Sequence, residues 1–184
     1  MLIPIVYTIA LAAGLAILGL SFATLLRPKL RFWPPPKPGG WQQATFRALF
    51  RVFFLGLLVL SVVSFETRSL GWRTGLGLAL LLVGFGFATR WTIFLGWRNA
   101  FGEPRGLKTN GAWGWSRNPI YVVSVVGMTG WGLVLGSWLV ASLLLLWACF
   151  YIIAPFLEEP WLEQHYGDAF LLYKRNVPRF VGWL

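Results

Sequence analysis

The sequence predicts an all-α integral membrane protein of about five transmembrane helices, with the N-terminus outside and the C-terminal tail in the cytoplasm. Three observations carry this reading. Only 12% of the 184 residues are charged while 57% are hydrophobic, and the mean hydropathy is +0.66. Soluble domains carry about 25% charge, so the indicated solvent is lipid. Long apolar runs recur, as they must where a helix rising about 1.5 Å per residue needs about 20 residues to cross the hydrocarbon. Nothing alternates in polarity over about ten residues, as a barrel strand would.

Taken in order, the runs are Leu2–Leu26, Ala48–Phe65, Thr74–Trp97, Ile120–Leu135 and Trp138–Phe156, the fourth being short. The first lacks a basic start and a small-residue cleavage site, and Arg27, Lys29 and Arg31 follow it, so it reads as a retained anchor. Between the first two runs, Pro34-Pro35-Pro36, Pro38, Gly39 and Gly40 form a stiff, non-helical connector. Glycines at 71, 75, 77, 84 and 86 in the third run and at 127, 132 and 136 in the fourth give small-xxx-small spacings that suit close helix packing. Gly75-Leu76-Gly77 and Gly84-Phe85-Gly86 follow no strand, so they are not dinucleotide fingerprints.

Net charge +10 would suit nucleic acid, but its distribution argues for topology. Arg27, Lys29, Arg31, Lys37, Arg47 and Arg51 follow the first run; Arg98, Arg105, Lys108 and Arg117 follow the third; Lys174, Arg175 and Arg179 lie in the tail. The Ser64–Arg73 turn holds only Arg68 and Arg73, and the Gly136–Ser137 turn holds no basic residue. The positive-inside bias therefore places the first loop, the third loop and the tail in the cytoplasm, where they also meet anionic lipid. Of the 12 tryptophans, Trp33, Trp41, Trp97, Trp113, Trp115, Trp161 and Trp183 fall near that interface, and Trp72, Trp131 and Trp138 near the other. That is an aromatic belt, with Trp113 and Trp115 set apart because they belong to a loop with chemistry of its own.

The chain reads as a single domain in two parts. Residues 1–97 hold three helices and the Pro-rich cytoplasmic loop; residues 98–184 hold a catalytic loop, a helical hairpin and a cytoplasmic tail. The lone Cys149 lies inside the fifth run, excludes an internal disulfide, and reads as a small buried apolar side chain. There is one histidine, His165, in a polar tail that marks it as a surface residue. No metal-spaced Cys/His cluster, nucleophile elbow or Walker loop is present, and no metal is expected.

What remains is one polar layer. The loop Gly111-Ala-Trp-Gly-Trp-Ser-Arg-Asn-Pro-Ile-Tyr121 enters the fourth run, with Pro119 suited to a first helical turn. The fifth run ends in Leu157-Glu158-Glu159-Pro160. An antiparallel hairpin of the last two runs returns Arg117, Asn118 and Tyr121 to the same end as Glu158 and Glu159. Such carboxylates accept from an ammonium or from ribose hydroxyls, and a guanidinium pairs a carboxylate, which is what an aminoacyl nucleoside requires. The plainer account stays open: two solvated charges ending a helix and pairing with Arg117, Lys174 or Arg175. Ionisable groups at a membrane edge are functional hypotheses, though an edge position weakens them. Arg90, in the third run, either snorkels to the interface or anchors an acidic group of a substrate.

Residues 110–183 resemble the membrane-embedded methyltransferases that comprise isoprenylcysteine carboxyl methyltransferases and phospholipid N-methyltransferases. The resemblance rests on Arg117-Asn118-Pro119-Ile120-Tyr121, on Leu157-Glu158-Glu159-Pro160, on Tyr166-Gly167-Asp168-Ala169-Phe170 with Tyr173, and on Val177-Pro178-Arg179-Phe180. Asn118 stands where the prenylcysteine branch has histidine, and Phe170 where tyrosine is common; Asn-Pro-x-Tyr and Glu-Glu-Pro look more like the phospholipid branch, Val-Pro-Arg like the prenylcysteine-like members.

The resemblance implies a methyltransferase dependent on S-adenosyl-L-methionine, acting on a lipophilic acceptor, either a prenylcysteine-like carboxylate or a phospholipid amine. It implies catalytic roles for Glu158, Glu159 and Arg117, and cofactor binding by Arg117, Asn118, Tyr121, Glu158, Glu159, Tyr173 and Arg179. Arg90, Arg98 and Trp115 are the expected acceptor contacts, and the expected partners are membrane lipids and a lipid substrate rather than nucleic acid. Methyl transfer is an in-line displacement that needs alignment and dryness more than a proton shuttle, so scarce histidine is compatible with it. Two other classes compete: a membrane sterol-type reductase using NADPH, whose C-terminal layout is similar, and a non-catalytic membrane scaffold whose charges only set topology.

Overall fold

In the computed structural model, residues 2–37, 39–65, 71–100 and 105–181 are described. All regular structure among them is helical: α1 (Leu2–Leu26), α2 (Trp41–Ser64), α3 (Trp72–Leu95), the single turn α4 (Trp97–Ala100), α5 (Pro119–Leu135) and α6 (Trp138–Asn176). Four of these, α1, α2, α3 and α6, are long and apolar enough to cross a membrane. The 17-residue α5, corresponding to the short fourth run, lies at the lower limit of that length. Arg68 and Trp183 lie outside the described residues.

Contacts fix the relative directions of the helices. At one end of the bundle, the Tyr7 hydroxyl meets Ser142 Oγ at 3.0 Å, Ser64 Oγ meets Ser137 Oγ at 3.2 Å, and Arg73 Nε donates to the Leu133 carbonyl at 3.1 Å. That end collects the starts of α1, α3 and α6 and the finishes of α2 and α5. The opposite end receives the finishes of α1 and α3, the starts of α2 and α5, and the middle of α6, and it carries the polar layer.

The bundle is held by close approach. Lipid is as apolar as leucine, so helices associate in it through packing rather than through a hydrophobic driving force. Along the α3–α5 contact, a Cβ at Gly84 would fall on the backbone of Gly127, and one at Gly130 on the backbone of Leu81. Across α1 and α2, a Cβ on Gly56 would lie 2.6 Å from that of Ala10. The glycine spacings thus do mark a packing seam, and Gly130, which they did not single out, approaches its neighbour as tightly as Gly84 does. By contrast Gly75 and Gly86 face open space. The core joins both halves of the chain: Ala10, Phe53, Leu57, Met128, Val140, Leu143 and Trp147 are buried together.

Two helices outrun the apolar runs. α2 starts at Trp41, about two turns before Ala48, because its first turns are polar (Gln42, Gln43, Thr45, Arg47) yet contain no breaker after Gly40. α6 continues to Asn176 with Pro155 and Pro160 inside it, and departs from helical geometry only at Gly167 (φ 51°, ψ −129°). A side chain at that backbone would be strained, and there the last stretch of α6 turns to pack Phe170, Tyr173 and Val177 around Trp113. The described part of the connector includes a 3-10 turn at Pro28–Leu30 and buries Phe32 completely, while Pro38 lies outside the described residues.

The tryptophan belt needs correction. Trp41, Trp72, Trp97, Trp115 and Trp138 are exposed, as belt residues should be. Trp113 is 6% exposed inside the tail cluster, and Trp33 and Trp131 are part-buried with their indole N–H groups bonded to Glu158 and Ser61. Cys149 is half-buried. His165 is exposed against the Trp161 carbonyl and ring, consistent with a surface role.

Candidate functional site

The loop before α5 is shaped by its own hydrogen bonds. A 3-10 turn over Gly111–Gly114 buries Trp113, whose carbonyl accepts from the Tyr173 hydroxyl at 2.7 Å. The buried Ser116 accepts from the Asn118 N–H at 3.1 Å, and Pro119 opens α5, where its missing N–H costs nothing. The tail then straps the loop: Arg117 N donates to the Pro178 carbonyl at 2.9 Å, and Asn118 Nδ2 to the Arg179 carbonyl at 2.9 Å.

Glu159 lies at the centre of this layer with its side chain 6% exposed. Arg117 donates to its Oε1 through Nε (3.2 Å) and Nη2 (2.9 Å), and Arg179 to Oε1 through Nε (2.9 Å) and to Oε2 through Nη2 (2.7 Å). Lys174 Nζ stands 3.9 Å from Oε2 and pairs with Glu163 as well. Arg117 Nη1 is spent on the backbone, donating to the carbonyls of Lys174 (2.8 Å) and Val177 (2.6 Å). Buried charge at this depth is tolerable only when paired and hydrogen-bonded, and here it is. The hydrogen bonds that Arg179 donates to Glu159 raise its pKa above the ordinary value, partial burial opposes them, and the Glu159 charge adds to the rise. The Arg179 guanidinium also lies 4.0 Å from the centre of the Phe156 ring, a cation–π contact.

Glu158 has a different environment. Its Oε1 accepts from Trp33 Nε1 and from the Tyr121 hydroxyl, each at 2.7 Å. Both donors are neutral, and no ion pair among the described residues reaches this carboxylate. Its Oε2 accepts no hydrogen bond from them. Tyr121 in turn stacks on Tyr151 with ring centres 4.6 Å apart. Trp33, Tyr121, Tyr151 and Leu157 form part of the wall of an aromatic-rich cleft of about 470 Å³, open mouth included, that reaches Ile17, Phe50 and Trp147 between α1, α2 and α6.

Seven of the residues expected at a site therefore do meet in one layer: Arg117, Asn118, Tyr121, Glu158, Glu159, Tyr173 and Arg179. Arg90, Arg98 and Trp115 are not among them. Arg90 is exposed on α3, and Arg98 is exposed in α4, where it lines a shallow surface pocket with Leu95, Asn99 and Arg105. Trp115 is 41% exposed, edge-on to Trp91. Three residues of the site had no signal of their own. Trp33 sits in a proline-rich connector, while Trp147 and Tyr151 sit within a continuous apolar run where nothing separates a cleft wall from core. Among the described residues no group of three His, Cys, Asp or Glu side chains could hold a metal.

Comparison with curated proteins and with solved structures gave no match. A protein-family model does match. That of the phospholipid methyltransferases covers residues 72–169, which takes in α3, α5, the Arg117–Tyr121 loop and α6 through both glutamates. Trp33, Tyr173 and Arg179 lie beyond it. With more than half of its length matched, and with the apolar helices such an enzyme needs, the chain belongs to the phospholipid methyltransferase family and is a membrane methyltransferase.

Proposed function

We propose that this chain transfers a methyl group from S-adenosyl-L-methionine to the nitrogen of a lipid-borne amine, at a site on the cytoplasmic side. The observation that carries the reading is the contrast between adjacent carboxylates. Glu159 is neutralised by Arg117 and Arg179, whereas Glu158 is held by Trp33 and Tyr121 alone. A carboxylate without a cation favours a positively charged ligand, and it offers a proton acceptor where an ammonium acceptor must lose its proton before attack. A carboxylate acceptor would instead meet like charge at Glu158.

The residues present fit the sulfonium donor. Arg179 Nη1 donates no hydrogen bond to a described residue, and the Asn118 amide keeps donor and acceptor capacity, which suits an α-carboxylate and ribose hydroxyls. Glu158 and Tyr121 suit the cationic part. When bound, the donor supplies a methyl group on positively charged sulphur. Glu158 would take the proton that the ammonium acceptor must lose, leaving the nitrogen lone pair free to receive that methyl group. Arg117, Glu159 and Tyr173 act as positioning residues: they lock loop to tail and exclude water, which an in-line displacement requires.

The test is binding of labelled S-adenosylmethionine to detergent-purified protein, followed by transfer of label to ethanolamine lipids in reconstituted vesicles. Binding with transfer is expected, and Glu158→Gln should weaken donor binding and lose turnover, the turnover loss being partly restored by rising pH at saturating donor. Failure to bind the donor, or preference for NADPH, would overturn the reading; label appearing only on carboxylates would overturn the amine assignment.

A further inference from the structure

We propose that the cleft between α1, α2 and α6 is a subsite for one chain of an ester-linked lipid, with Trp147 Nε1 donating to the ester carbonyl. Trp147 is 7% exposed, yet its indole N–H finds no acceptor among the described residues. The side chain is caged by Phe50, Phe53 and Phe54, with ring centres 5.7, 6.3 and 5.6 Å away, none of which can accept conventionally. Tyr151, one turn along α6, carries its hydroxyl near the Trp147 and Ser124 side chains. Both residues line the same cleft.

Buried donors are almost always satisfied, because leaving one unmet forfeits its bond with water and returns nothing. An unmet donor in the wall of an apolar cleft calls for a ligand that is mostly hydrocarbon and carries an acceptor oxygen. An acyl ester has that composition. A thioether-linked isoprenoid lacks a comparable acceptor at the head of its chain. The cleft wall also includes Trp33 and Tyr121, which hold Glu158, so a chain seated there brings an attached amine toward the carboxylate. Ile17, Phe46 and Phe50, from helices outside the family's matched region, supply the hydrocarbon surface. The inference rests on the lipid-amine reading above for the ligand's headgroup, but not for the cleft itself.

The experiment compares two probes on the detergent-purified chain: 1-oleoyl lysophosphatidylethanolamine and its ether-linked counterpart, which lacks only the carbonyl. Wild type should bind the ester between about twofold and tenfold more tightly, the worth of one net hydrogen bond. Trp147→Phe, which keeps a ring but removes the N–H, should bring the two affinities together. Ala154→Trp, which fills the cleft from a half-buried position, should weaken both lipids alike and serves if the Trp147 variant fails to fold. Equal affinities in wild type, or an ester preference that survives Trp147→Phe, would overturn the inference. So would competitive displacement of the ester lipid by S-adenosylmethionine, since the cleft would then belong to the donor. Donor binding measured in parallel separates the two readings: intact donor binding without ester preference removes only the subsite, and ester preference without donor binding removes only the methyl transfer.

Discussion

Replacing Glu159 by glutamine should free the tail from the loop, while the same change one residue earlier should not. Glu159 receives four hydrogen bonds from Arg117 and Arg179, and its side chain and that of Arg117 are 6% and 9% exposed. Removing one partner of a buried ion pair typically costs about 3–5 kcal/mol, because a charge is left uncompensated. Arg179 is 30% exposed and Lys174 39%, so water screens part of their share, and the low end, about 3 kcal/mol, is the reasonable figure. That is roughly two orders of magnitude in the population of the undocked tail. Limited trypsinolysis at Lys174, Arg175 and Arg179 reads this population directly when opening is fast relative to cleavage, so cleavage in Glu159→Gln should accelerate by about that factor. Glutamine at 158 still presents an oxygen to Trp33 and Tyr121, so Glu158→Gln should leave the cleavage rate within about twofold of wild type, a surface-scale change. Equal acceleration in both variants would refute the division of labour between the two glutamates. No acceleration at 159 would show that the ion cluster does not hold the tail.

Three further outcomes test other parts of the structure. Gly84→Leu should weaken the bundle by about 1–3 kcal/mol through overpacking against Gly127, while Gly86→Leu, with nothing near its Cβ, should be neutral; titration with a denaturing detergent, followed by circular dichroism, distinguishes them. Gly167→Ala forces an L side chain onto φ 51° and should cost about 1–2 kcal/mol, read as faster tail proteolysis with the transmembrane helices unchanged. For orientation, cysteine introduced at Lys108 should be shielded from an impermeant reagent in intact cells and one at Ser137 labelled; the reverse pattern would invert the membrane topology.

Much of the architecture was legible because lipid imposes a simple rule. α1 occupies the apolar run Leu2–Leu26, and α3, at Trp72–Leu95, is displaced by two residues from Thr74–Trp97. Hydropathy misjudged α2 and α6 because it measures solvent preference, not backbone geometry. Polar turns such as Gln42–Arg47 remain helical, and α6 leaves the apolar run long before it reaches Gly167. The meeting of Arg117 with Glu159 was readable from hairpin logic, since two antiparallel neighbours return their polar ends to one layer. The bond from Trp33 to Glu158 spans 125 residues of sequence and starts in a connector without periodicity, so no local pattern announces it. The same holds for the cleft: an apolar residue in a membrane helix reads alike whether it faces lipid, core or a cavity.

The consecutive glutamates acquire different surroundings from the geometry of the helix that carries them. Successive residues on an α-helix project about 100° apart, so a Glu-Glu pair on one turn cannot serve a single neighbour. Glu159 is directed to the layer made by the loop before α5 and by the tail, which supplies its cations. Glu158 is directed to the connector after α1 and to Tyr121, which supply only neutral donors. Pro155 and Pro160 flank the pair inside a helix whose backbone stays helical there, although each proline removes one N–H from the helix ladder. Two identical side chains thus end in different settings, Glu159 between two guanidiniums and Glu158 against neutral donors alone. Exchanging the environments, for instance by Trp33→Arg, would supply Glu158 with its own cation. If an uncompensated carboxylate is what attracts the substrate amine, that variant should retain the docked tail and yet lose methyl transfer; retained transfer would mean that the charge at 158 plays no part in recognising the acceptor.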